Sequence, residues 1–285
     1  MTPPKEYQCL NLGCGNRFRE GWVNVDFVPA DRAVLAANLR ESFPFEDSFF
    51  DVVYSSHVLE HFTRKEANQF IQECMRILKP GGVVRIVVPD LELLCRKYLG
   101  VLNRVRQGGE LWELDWSVIQ IVDQLAREKS GGQMKEMLNS VEKSVLKQLA
   151  NTSSTARRIW VERNGDEDKQ THASSPSVAP RQHTQTSFGG IKGRLKRFLV
   201  SKLCPEYSSA ACSIGRFRMS GEVHKWMYDA IQLQSLLTSH GFVDFRVQDP
   251  LESMIRNWDE FGIDIEPDGS PYKPDSIYVE SLKLV

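Results

Sequence analysis

Short apolar runs broken by glycine and proline turns fill the first hundred residues, and helical periodicity takes over after them. Residues 7–12 read as a first strand, apolar enough to be buried on both faces of a parallel sheet. Residues 23–26 read as a second strand, 33–38 as a short third and 50–55 as a fourth. Thr63 and Glu66 form a capping box that opens a helix. Ala67, Phe70, Ile71, Cys74, Ile77 and Leu78 line one face of it at helical spacing. The Lys79–Gly82 stretch stops that helix, 83–88 is a fifth strand, and Asp90 caps a helix running to about Leu99.

After Gly100 the pattern changes. Residues 108–162 carry helical patterns, with Leu111, Leu114, Trp116, Ile119 and Val122 as the apolar positions. Residues 164–190 are polar, rich in Ser, Thr, Gln and Pro, and read as a disordered loop. Residues 191–203 are basic, with Leu195, Phe198 and Leu199 on one side. Residues 224–229 lead into a helix ending at Gly241, and 242–247 and 277–284 read as two closing strands. No internal repeat is visible.

Two local features point to chemistry. The first strand ends at Gly13-Cys14-Gly15, a sharp turn whose glycines accept positive φ and leave no Cβ between backbone and ligand. The second strand ends on Asp26, the position at which a parallel α/β sheet holds the hydroxyls of a ribose. Together they indicate adenosine. Asn16, Arg17 and Phe18 follow Gly15, so the third glycine of a dinucleotide turn is missing. The stretch from Gly15 to Asp26 is also too short for a full crossover helix. Both facts disfavour a nicotinamide oxidoreductase.

Composition narrows the partners without naming one. The 285 residues are 41% hydrophobic and 26% charged with a net charge of -1, which does not suggest nucleic acid or membrane as a principal partner. The six cysteines include no C-x-x-C pair, so no zinc or redox motif is read, and a reducing, cytoplasmic setting fits best. The N-terminal residues lack a signal-peptide pattern, and no apolar run is long enough to span a bilayer.

With these residues in order, the chain resembles the class I S-adenosylmethionine-dependent methyltransferases over residues 7–99 and again over about 221–284. The resemblance implies a doubly wound, mostly parallel seven-stranded sheet of the Rossmann-like α/β type with its last strand antiparallel. It divides the chain into a cofactor-binding part at 1–103, an α-helical insertion at 104–220 and a C-terminal part of the core at 221–285. It implies that Leu12, Gly13, Cys14 and Gly15 pass the methionine part of S-adenosyl-L-methionine, and that Asp26 binds the ribose. Phe27, Asn38 and Leu39 would then surround the adenine, and Ser55, Ser56 and His57 border the reactive methyl. The compressed loop before Gly21, the Ser56–His61 run, the Val88–Glu92 run and the closing Ser276–Lys283 run are similar to a bacterial group associated with surface polysaccharide or glycolipid production. That likeness implies a small-molecule or glycan acceptor. Nitrogen methylation of a small metabolite and a non-catalytic cofactor-binding module remain alternatives.

A hydroxyl acceptor requires a base as well as alignment with the donor. His57 and His224 are the candidates; His61, one turn deeper, reads as structural. His224 stands beside Trp226 and Tyr228, where an acceptor could be held. Asp90 is more simply a helix cap than a metal ligand, and Cys14 a small turn residue rather than a nucleophile. Lys192, Arg194, Lys196, Arg197 and Lys202 read first as a solvated face, then as a contact for an anionic acceptor or an anionic membrane surface.

Overall fold

The computed structural model describes residues 7–164 and 210–284. The polar stretch beyond Asn164 and the basic stretch 191–203 therefore lie outside the described residues. The strands β1 (Cys9–Leu12), β2 (Val23–Asp26), β3 (Val34–Ala36), β4 (Phe50–Ser56), β5 (Leu78–Pro89), β6 (Phe242–Gln248) and β7 (Ser276–Lys283) form one sheet. Their order is β3-β2-β1-β4-β5-β7-β6. Strands β1 to β5 are mutually parallel, and β7 runs antiparallel to both β5 and β6. This is the seven-stranded Rossmann-like arrangement of the class I methyltransferase fold. From β1 the chain turns first to β2 on one side and later to β4 on the other. That reversal opens a crevice at the carboxyl ends of β1 and β4, the usual ligand position in such sheets.

No helix joins β1 to β2, as the spacing predicts, and a buried amide takes the helix's place. Asn24 Oδ1 accepts from the Arg19 amide at 2.9 Å, while its Nδ2 donates to the carbonyls of Arg19 at 2.7 Å and Trp22 at 3.0 Å. Its neighbour Asn11 donates to the same Oδ1. Asn24→Ala leaves these backbone groups unpartnered and should cost about 1–3 kcal/mol. Urea unfolding checks it: the midpoint should fall with an unchanged slope.

One face of the sheet is covered by α1 (Arg64–Ile77) and α8 (Ala230–Ser239), which bury Phe70, Ile71, Leu233 and Leu237 against Leu10, Val53 and Ile86. The Thr63–Glu66 capping box is present in full. The Lys79–Gly82 stretch, expected to end the helix and lead into the fifth strand, is already part of β5, with a register irregularity opposite Phe50 and Val52. Gly82 is needed there, because a Cβ would stand 2.9 Å from the Lys79 carbonyl and 3.1 Å from that of Asp51.

The other face is covered largely by the irregular segment 249–275 and the short α9 (Trp258–Phe261). Arg85 crosses from β5 into this layer, fully buried, between Asp264 and Glu280, each at 2.8 Å. Tyr54 donates to Asp264 at 2.6 Å, and the guanidinium lies 4.5 Å from the Trp258 ring centroid.

Asp90 caps α2 (Leu91–Arg106), which runs past Gly100 because Val101 is still buried. The insertion continues as α3 (Leu111–Ala126), α4 (Gly132–Ser140), α5 (Lys143–Ala150), α6 (Ser154–Asn164) and α7 (Ala210–Arg218). It has its own small core of Trp116, Met134, Leu138, Leu146, Leu149, Ala156 and Ile159. Among the described residues no helix is long and apolar enough to cross a membrane.

Candidate active site

The glycine turn sits at the mouth of the β1–β4 crevice. Its first amides are tied down, with Gly13 and Cys14 both donating to the Val25 carbonyl, at 2.8 and 3.0 Å. Gly13 has φ +71°, and a Cβ there would stand 2.2 Å from Val58 Cγ2, so the turn packs directly on the segment after β4. Gly15 also has positive φ, +54°, yet nothing lies within 4 Å of where its Cβ would be. That open space is room for a ligand against bare backbone. Cys14 is buried, and burial pushes its thiol up to about 12, so it is a protonated packing group and not a nucleophile.

Asp26 joins the turn to the end of β2. One carboxylate oxygen accepts from the Gly15 amide at 2.9 Å and the other from the Val28 amide at 3.0 Å. Each oxygen keeps a further lone pair, so the side chain can still receive two vicinal hydroxyls. Phe27 next to it is 65% exposed, an uncovered ring beside the crevice. Asn38 uses its amide nitrogen on Glu41 at 2.7 Å and its oxygen on the Arg40 amide at 3.2 Å. Leu39 is buried in the core beneath. The far side of the turn is anchored by Arg17, which donates to the carbonyls of Ile263, Gly262 and Ile265 and lies over the Tyr272 ring.

At the end of β4, Ser55 and Ser56 have buried hydroxyls that make no hydrogen bond among the described residues. His57 follows with φ +56°, a left-handed conformation costly for a residue with a Cβ. Its amide donates to the Val87 carbonyl, its Nε2 lies 2.8 Å from Ser276 Oγ, and its Nδ1 lies 3.3 Å from Glu60 Oε1. Burial holds the imidazole well below its usual pKa, so it is neutral. Burial also pushes Glu60 up to about 8. His57 forms part of the wall of a small cavity under the helical insertion, with Gln120, Gln124, Ser154, Thr155 and Asp275 among the other lining residues. Its volume, ≈ 10 Å³, holds about one water. Asp275 Oδ2 accepts from the Ser154 amide, while Oδ1 is buried without a hydrogen bond.

His224 is buried and stands behind this wall, its ring edge-on to His61 with centroids 4.8 Å apart. The structure thus gathers His57, His61 and His224 around the 3-10 turn Leu59–His61, with His57 at the cavity. Glu60, Asp275 and Ser276 were not singled out from sequence. Glu60 lies within the Ser56–His61 run, and its carbonyl accepts from the amide of the distant Lys225 at 2.7 Å.

A family model described as a methyltransferase domain matches residues 20–86, from before β2 into β5. A probable S-adenosylmethionine-dependent methyltransferase of Mycolicibacterium smegmatis is 42% identical over 53 residues, covering 19% of this chain and 20% of that protein. The chain therefore matches only about one fifth of the length of that curated relative. Among solved structures, a protein of Pyrococcus horikoshii is 27% identical over 33% of this chain and 55% of its own, at a TM-score of 0.27. A methyltransferase of Thermotoga maritima, described as a possible histamine N-methyltransferase, aligns over 98% of this chain and 83% of its own at 13% identity and a TM-score of 0.37. Superpositions this loose add nothing to the strand order above. Residues 20–86 are a methyltransferase-domain segment, of the kind that S-adenosylmethionine-dependent enzymes carry.

Proposed function

We propose that this protein is an S-adenosyl-L-methionine-dependent methyltransferase that methylates a hydroxyl of a sugar-containing or other small acceptor, in surface-glycan or related biosynthesis in the cytoplasm. The observation that carries the reading is the Asp26 carboxylate, held by the Gly15 and Val28 amides at the carboxyl end of β2, beside a glycine turn with open space in front of it. The turn takes the amino-acid part of the donor against its backbone, Asp26 takes the ribose hydroxyls, and Phe27 and Asn38 flank the adenine. When bound, S-adenosylmethionine supplies an electrophilic methyl group on its sulfonium. The protein then has to align an acceptor oxygen and remove its proton.

His57 is the base in this reading, a left-handed residue at the end of β4 that lines the cavity. Beside the apolar Pro89, Leu94 and Met134, the cavity wall carries the amides of Gln120 and Gln124, the hydroxyl residues Ser154 and Thr155, and Asp275, whose Oδ1 makes no hydrogen bond, groups able to bind a hydroxyl-bearing acceptor.

The test uses a labelled methyl donor with a panel of nucleoside-diphosphate sugars and simple glycosides. His57→Asn should lower kcat by about 100-fold or more while donor affinity changes only a few-fold. Full turnover in the variant removes His57 as the base.

A further inference from the structure

We propose that Glu60, His61 and His224 form a binding site for one divalent first-row metal ion, zinc by preference. Each offers one ligand atom, and these atoms lie within 4.8 Å of one another. A tetrahedral zinc with bonds of about 2.0–2.1 Å needs its ligands about 3.4 Å apart, so side-chain rotation closes the set without moving the backbone far. Two imidazoles and a carboxylate are a donor set that zinc uses, with the fourth position open.

The unmet bonding at this point is the second observation. Both Glu60 oxygens are buried and make no hydrogen bond among the described residues, although Oε1 lies 3.3 Å from His57 Nδ1. His61 Nδ1 is likewise buried and unpartnered. Buried carboxylates and imidazoles are nearly always satisfied, yet Glu60 and His61 each leave a buried polar atom without a hydrogen bond beside the third residue, His224. A cation held by the three residues would meet both and neutralise the buried Glu60 carboxylate.

The surroundings hold the ligands in place. The Glu60 carbonyl accepts from the amides of Lys225 at 2.7 Å and Trp226 at 3.3 Å, locking the 3-10 turn to the segment that carries His224. The His224 amide is held in turn by the Gln124 carbonyl of α3. The His61 ring packs edge-on against His224 with its Nδ1 left without a hydrogen-bond partner, available as a ligand atom. His61 is partly exposed, which gives the ion a way in. The metal would tie the turn after β4 to the start of the C-terminal part of the core, directly behind His57. Sequence spacing concealed the site, because the third ligand is remote from the other two.

The experiment uses the full chain, stripped with chelator and titrated with zinc chloride by calorimetry, then loaded with cobalt(II) and read by visible absorption. We expect one zinc per chain and ligand-field bands without thiolate charge transfer. Glu60→Gln and His224→Asn should each weaken zinc at least about 100-fold while circular dichroism stays native. A variant that does not fold is replaced by His61→Gln, judged the same way. The proposal is overturned by no stoichiometric zinc uptake in the wild-type chain, by thiolate bands that place the ion on cysteines, or by wild-type affinity in the folded variants. Because no readout requires methyl transfer, a failed metal titration leaves the methyltransferase reading standing, and the reverse also holds.

Discussion

Asp26→Ala should weaken S-adenosylmethionine binding by roughly 100-fold or more, the largest effect expected of any change in the crevice. Hydrogen bonds to a charged group contribute about 1.5–3 kcal/mol each, and losing two ribose contacts exceeds the 2.7 kcal/mol that corresponds to two decades of affinity. The same carboxylate positions the Gly15 and Val28 amides, so its removal also loosens the turn. Calorimetric titration of the variant with S-adenosylmethionine and S-adenosylhomocysteine measures this, with Tm as the check on folding. Asp26→Asn should be milder, since the amide keeps one acceptor oxygen while its nitrogen opposes one of the two backbone donors. Unchanged affinity in Asp26→Ala would mean that the ribose is held elsewhere.

Arg85→Leu should destabilise the fold by about 3–5 kcal/mol, the range for removing one partner of a buried ion pair. Arg85 is a bridge between β5, β7 and the 249–275 cover. It meets Asp264, Glu280 and the carbonyls of Asp249, Pro250 and Glu252. Leucine leaves two buried carboxylates facing each other with no cation between them. Glu280 retains the Met254 amide at 2.7 Å and Gln248 at 3.0 Å, and Asp264 retains Tyr54, which limits the loss without repairing it. Equilibrium urea unfolding gives the number. A loss below about 1 kcal/mol would show that the cover detaches and lets water reach the acids.

What the sequence made legible was local. Strand β2, the capping box of α1 and the Asp90 cap each depend on residues adjacent in the chain, and all three stand where the pattern places them. The seven-stranded, mostly parallel sheet with an antiparallel last strand followed from the family resemblance, not from periodicity, and the strand order came only from the structure. Lys79–Gly82 reads as a helix stop and a lead into the fifth strand because glycine and proline punctuate, whereas here the glycines already belong to an irregular start of β5. Long-range pairing stayed hidden: Arg85 with Asp264, Ser276 with His57, and His224 with His61 are each brought together only by the sheet order. The candidate site was therefore half visible. The proposed donor side, Gly13 to Asp26, is one continuous stretch, while the proposed acceptor side is assembled from His57 after β4, from α3 and α6, and from Asp275 before β7.

The measurement that tests the central claim most directly is calorimetric titration of the wild-type protein with S-adenosylmethionine, S-adenosylhomocysteine and NAD in parallel. The account predicts stoichiometric binding of both adenosyl ligands and none of NAD, since the turn lacks a third glycine and the crossover lacks its helix. Tight binding of NAD with no response to either adenosyl ligand would contradict it.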